Sequence, residues 1–112
     1  MTFSELTPQE RLALAALSRA MVRLDRNYSD EESERLHRIA EELGDPEGFW
    51  DTLEQAEQTV TGPDHLRAIA LAVTRAEART TILEALEGLA AAEAASKAEQ
   101  SMLTELRGLW AA

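Results

Sequence analysis

Cysteine is absent from the chain, which excludes a disulfide framework, a thiolate zinc site and a cysteine nucleophile, and fits a reducing compartment. Aromatic residues make up only 4%, and β-branched residues never run longer than three together, a balance that favours helix over strand throughout. No apolar run approaches the ~20 residues of a membrane span, and the opening MTFSELTPQERLALAAL lacks the positive region of a secretory signal. The expectation is a soluble cytoplasmic protein without membrane insertion. Basic residues are scarce as well: 11 Lys and Arg stand against 21 Asp and Glu, for a net charge of −10. Such a field repels a polyanion unless a basic patch is segregated from it. Arg19, Arg23 and Arg26 share one helix end, while Arg67, Arg75 and Arg79 are interleaved with Asp64, Glu77 and Glu84. Nucleic acid is therefore not an expected partner.

What is present is leucine and alanine, which dominate an apolar fraction of 45% over 112 residues. A chain of this size forms one domain, here spanning 1–112, and buries roughly 65% of the surface its unfolded form exposes. Helix starts carry the clearest pattern. The signature Ser/Thr-x-x-Glu, whose hydroxyl and carboxylate reciprocally satisfy free N–H groups of a first turn, occurs at Thr7/Glu10, Ser29/Glu32, Thr74/Glu77 and Ser96/Glu99. Each cap contributes about 1 kcal/mol. Pro8 follows Thr7 at N1, where its missing N–H costs nothing. Thr7 to Thr74 and Ser29 to Ser96 are both 67 residues apart, so the two pairs are in register.

The same shift superposes Leu36 on Leu103, Ile39 on Leu106 and Leu43 on Trp110. The first-helix stripes, Leu14, Leu17, Met21 and Leu24 against Ile82, Leu86 and Leu89, match only after a slip of one or two residues. Two similar helix-turn-helix units are predicted. Between them Gly44 closes a helix, Asp45-Pro46 opens another, and Phe49, Leu53, Ala56 and Val60 recur at helical spacing. TGPDH then separates a fourth helix carrying Leu66, Ile69 and Val73. The prediction is an all-α compact bundle of about six helices, near 8–25, 30–43, 46–59, 63–73, 75–93 and 97–110.

These residues carry a family likeness. A helix ending in Asp25, a short turn, Ser29-x-x-Glu32 and then RLHRIAEELG, followed after a spacer by EARTTILEALEGLAAAEAASKAEQSMLTELRGLW, resembles the tellurite-resistance TerB-like family over most of the chain. The resemblance implies a small all-helical domain of two such units, each with an Ala-Asp-Gly-x-x-Ser-x-x-Glu turn, acting as a structural or signalling domain in bacterial stress responses, with calcium and metal-ion binding as a family property. This chain departs from that turn: Arg26 replaces the first glycine, and the second turn has Ala92 or Glu93 at the aspartate and Ala94 near the glycine. The departures weaken a metal site, most of all at the second turn.

Asp25, Asn27 and Ser29 do sit at alternate positions, as at the start of a calcium loop. An EF-hand also needs glycine at position 6 and a bidentate glutamate at 12, where this chain has Asp30 and Leu36. Capping accounts for every residue instead, with Ser29 as N-cap, Asp30 and Glu31 favoured by the helix dipole, and Glu32 completing the box. A weak, water-rich Ca²⁺ or other hard-cation site from Asp25, Asn27, Ser29 and Glu32 is the alternative; no other cofactor is expected.

Glu31–Arg35 and Glu34–Arg38 read as i,i+4 pairs on a solvated face. His37 and His65 lack a second ligand at i+3 or i+4 and read as helix-surface residues, a role for His65 beside Asp64 being the remote case. No Ser-His-Asp set, phosphate loop or paired-carboxylate cleft can be assembled, so no enzyme is expected. Trp50 and Trp110 either pack against the body or form a partner-binding or dimer patch. The small-residue run LEALEGLAAAEAASKAE suits a central buried helix, with Gly88 making room for a crossing neighbour. The functional expectation is a non-catalytic protein-interaction or regulatory module whose partner is another protein or a second copy.

Overall fold

The first long helix of this chain is started by side chains that satisfy its free N–H groups. In the computed structural model, which describes residues 2–24, 30–90 and 97–111, the Thr7 hydroxyl accepts from the Glu10 N–H at 3.2 Å and the Glu10 carboxylate accepts from the Thr7 N–H at 2.8 Å. The expected capping box is present and opens α1 (Pro8–Leu24). Five helices follow: α2 (Asp30–Glu42), α3 (Pro46–Thr59), α4 (Pro63–Leu71), α5 (Ala76–Ala90) and α6 (Lys97–Ala111). A 3-10 turn at Phe3–Glu5 precedes them, and no strand occurs among the described residues. The fold is an all-α bundle. The Ser29 and Ser96 caps lie outside the described residues.

Gly44 ends α2 with φ +85° and its N–H donates to Glu41 O at 3.0 Å, the left-handed cap that glycine adopts without a Cβ penalty. Asp45 then caps α3 by accepting from the Gly48 N–H at 3.0 Å. A Cβ at Gly48 would collide with that carboxylate.

Several helix boundaries differ from the sequence reading, and at α4 and α5 the cause is visible. α4 stops at Leu71 because its last turn tightens: the Val73 N–H donates to Ala70 O at 3.2 Å, which turns Val73 into the core at 0% exposure. α5 begins at Ala76, after Arg75 O has accepted the Arg79 N–H. No hydrogen bond joins Thr74 to Glu77 among the described residues, so the expected third capping box is not made. That one-residue offset of α5 from α1 matches the slip between the two stripes.

The central helix is α1, not the small-residue helix the sequence suggested. Ala13 through Ser18 are six consecutive buried residues, more than one stripe at 3.6 residues per turn can cover, and α1 packs against α3, α4, α5 and α6. α5 by contrast is amphipathic, burying Ala78, Ile82, Leu86, Leu89 and Ala90 while Glu84 and Glu87 face solvent. The 67-residue shift does map buried positions onto buried positions: Leu36 and Leu103, Ile39 and Leu106, Leu43 and Trp110 are all in the core.

Gly88 makes room for nothing: a Cβ there meets no atom within 4 Å. Its helical position therefore carries only the entropic cost of glycine. Gly88→Ala is expected to raise stability by about 0.5–1 kcal/mol, measured as a shift of the urea midpoint at unchanged slope.

Three arginines fasten the ends of these helices. Arg75 reaches from the start of α5 to the start of α1, donating Nε to Glu10 Oε2 at 2.8 Å and Nη2 to Glu5 O at 3.1 Å. Glu10, 4% exposed, is held down to about 2 chiefly by that guanidinium and further by its bonds to Thr7, against a smaller upward push from burial. Arg11 donates to Phe3 O and Ser4 O, both at 2.9 Å, holding the 3-10 turn on α1. Arg79 donates to Val73 O at 2.8 Å and Trp110 O at 3.2 Å, joining the α4–α5 turn to the end of α6.

Candidate functional site

Of the residues singled out from sequence, Asp25, Asn27 and Ser29 lie outside the described residues, and for Glu32 only its place in α2 is described. Among the described residues no group of three His, Asp or Glu side chains could hold a metal ion. Among the described residues Glu34 and Arg38 form no ion pair, while Arg19–Glu57, Arg75–Glu10 and Arg107–Glu87 do. His65 serves the backbone, its Nδ1 accepting from the Thr61 N–H at 3.3 Å.

The two tryptophans occupy different environments. Trp110 is 8% exposed, donates its indole N–H to Ala70 O at 2.9 Å, and lies under the Arg79 guanidinium at 5.9 Å. It closes the core between α4 and α6. Trp50 is half-buried, with its ring 4.8 Å from the exposed His37 imidazole and 5.7 Å from Phe49.

A larger concavity lies away from both tryptophans. α1, α3, α4 and α6 enclose an open cleft of about 630 Å³, within the roughly 300–1,000 Å³ typical of ligand pockets. Its floor is apolar and buried, made by Leu17, Ala56, Ala70 and Leu106. Half-buried Val60, Leu66, Met102 and Leu109 form the walls.

The turn Thr61-Gly62-Pro63 closes one end. It is placed by the Val60 N–H donating to Ala56 O at 2.9 Å as α3 ends, and by Pro63 at N1 of α4. Alanines create the space: Ala16 and Ala20 on α1, Ala56 on α3 and Ala70 on α4 are short where a leucine would fill the gap. Arg19, Arg67 and Glu105 are the charged residues of the lining. Arg19 meets Glu57 at 3.6 Å, whereas Arg67 makes no ion pair among the described residues. Thr61 and Ser101 add hydroxyls, and neither a histidine nor a carboxylate pair lines the cleft.

An all-α chain with six α-helices among its described residues, opened by a Thr-x-x-Glu cap and carrying buried positions repeated 67 residues apart, is matched over residues 11–110 by the family model of the tellurite resistance protein TerB. The chain belongs to the TerB family. No curated protein and no solved structure gives a match.

The TerB match covers every residue that lines the cleft, so the cleft is built from the family domain itself. Sequence reading did not find it, because its lining comes from four helices whose mutual packing no local pattern specifies. The available signal was the surplus of alanine on apolar stripes, which announces space without saying where it opens. No helix among the described residues is long and apolar enough to cross a membrane.

Proposed function

We propose that this TerB-family chain is a non-catalytic interaction or regulatory module of the cytoplasm, tied to tellurite or a related stress, and that it works by receiving an apolar group in the α1/α3/α4/α6 cleft. The single supporting observation is the cleft itself: a buried apolar floor, left open by alanines, with Arg19, Arg67 and Glu105 as its charged lining residues. A surface of that kind favours binding over bond chemistry, since its lining brings together no histidine, no paired carboxylates and no set of metal ligands.

The test fills the cleft without touching the core. Ser101 is exposed on α6 and lines the cleft, so Ser101→Trp obstructs the space while leaving the buried residues in place. In a host strain made tellurite-sensitive, the wild-type chain is expected to raise the tolerated tellurite concentration, and Ser101→Trp to lose most of that protection at unchanged helix content and melting temperature. Full protection by the filled variant would remove the cleft from the function; no protection by the wild type would remove the link to tellurite.

A cation reading stands beside this one, motivated by the alternate oxygen side chains Asp25, Asn27 and Ser29 with Glu32 following. It calls for saturable Ca²⁺-dependent amide shifts at those four residues that vanish in Asp25→Ala and do not occur with Mg²⁺. A dimer or protein contact through Trp50, half-buried beside exposed His37, calls for a concentration-dependent mass in light scattering that Trp50→Ala abolishes.

A further inference from the structure

The charge around the cleft runs against the charge of the chain. The whole sequence carries −10, yet the cleft lining has two arginines, Arg19 and Arg67, against one carboxylate, Glu105. Arg67 is exposed and without an ion-pair partner among the described residues. Arg19 has only a 3.6 Å contact with Glu57, whose side chain is 62% exposed, a loose surface pair that a better acceptor displaces. The same lining carries the buried apolar side chains of Leu17, Ala56, Ala70 and Leu106. Arginines and an apolar floor in one lining together specify an occupant with an anionic head and an alkyl tail: the head gains charge-assisted hydrogen bonds from arginine, and the tail displaces water from the apolar surface.

Size selects among occupants of that chemistry. A space of about 630 Å³ holds one small molecule, whereas a stable protein interface needs about 1,000 Å² of total buried surface or more. We propose that the cleft binds a single-chain amphiphile with a carboxylate head, of the fatty-acid class, with Arg67 as the principal head-group contact. This inference rests on the cleft being the working surface of the module, and adds the class of molecule that it takes.

The experiment is a titration of the ¹⁵N-labelled full chain with octanoate, decanoate and decyltrimethylammonium below their micelle concentrations. Decanoate is expected to give saturable amide shifts centred on Leu17, Leu66 and Met102. It should bind more tightly than octanoate by about two- to fourfold for each added methylene, and at least tenfold more tightly than the cationic chain. Arg67→Glu, at an exposed position, should weaken decanoate about tenfold and reduce the head-group preference, with helix content unchanged; Ser101→Trp should weaken both chains.

Equal binding of the anionic and cationic chains in the cleft would overturn the anionic assignment while leaving the cleft as a binding surface. Shifts elsewhere, or none that saturate, would overturn amphiphile binding altogether. In that case loss of tellurite protection in Ser101→Trp would still support the module reading, with a protein segment as occupant.

Discussion

Phe49→Ala is expected to lower the unfolding free energy by about 3–5 kcal/mol, a large share of the roughly 5–15 kcal/mol that holds a domain of this kind folded. Phe49 is 0% exposed. It meets the Phe3 ring edge-to-face at 6.0 Å and 89°, an arrangement that adds about 0.5–1.5 kcal/mol beyond burial. Phe3 is itself pinned, its N–H donating to Leu43 O at 2.9 Å and its ring lying 5.3 Å from the Arg11 guanidinium. Deleting the Phe49 ring therefore leaves a cavity that this backbone-bonded neighbour cannot collapse to fill. Urea unfolding of Phe49→Ala and Phe49→Leu would measure the effect; a loss below about 1.5 kcal/mol for the alanine variant would mean that the N-terminal turn moves in to replace the ring.

The second large effect is electrostatic and carries a pH signature. Glu10→Gln retains a side chain able to close the capping box but removes the charge that Arg75 binds. A folded value near 2 against an ordinary 4.5 sets an upper limit of about 1.4 kcal/mol per unit of depression. Because the Arg75 side chain is 41% exposed, solvent screening reduces the expected loss to about 1–2 kcal/mol at neutral pH. The carboxylate is stabilised in the folded state, so its contribution is fully present above about pH 4.5 and disappears as pH falls from 4.5 toward 2. Wild type and Glu10→Gln should thus differ in urea midpoint at pH 7 and converge at low pH. A difference that persists unchanged at low pH would assign the effect to packing of the side chain and not to its charge.

Both effects show where sequence reasoning reaches. Phe49 was legible as core because it falls on a helical stripe with Leu53 and Ala56, and burial at that spacing needs no knowledge of the neighbour. Glu10 was legible as a cap because its partner Thr7 is three residues away. Its second partner, Arg75, is 65 residues away, and nothing local connects them. In the sequence Arg75 is one charge among several in an acidic second half, and only the packing of α1 against α5 puts its guanidinium on a buried carboxylate.

Composition and periodicity by themselves determined that this protein is helical, how many helices it has and nearly where each begins, because capping boxes, proline at N1 and glycine at C′ act within one turn of the chain. The spacing of apolar positions also paired Leu36, Ile39 and Leu43 with Leu103, Leu106 and Trp110. Tertiary structure decided that α1 and not α5 is the enclosed helix, that Gly88 faces open space, that Thr74 and Glu77 do not close a box, and that alanines on separate helices leave a cleft whose lining includes Arg19 and Arg67. The division follows the range of the forces. Backbone capping and stripe formation are settled by residues at most four apart, whereas a cavity is the volume that remains when whole helices meet, and its shape depends on every side chain between their axes.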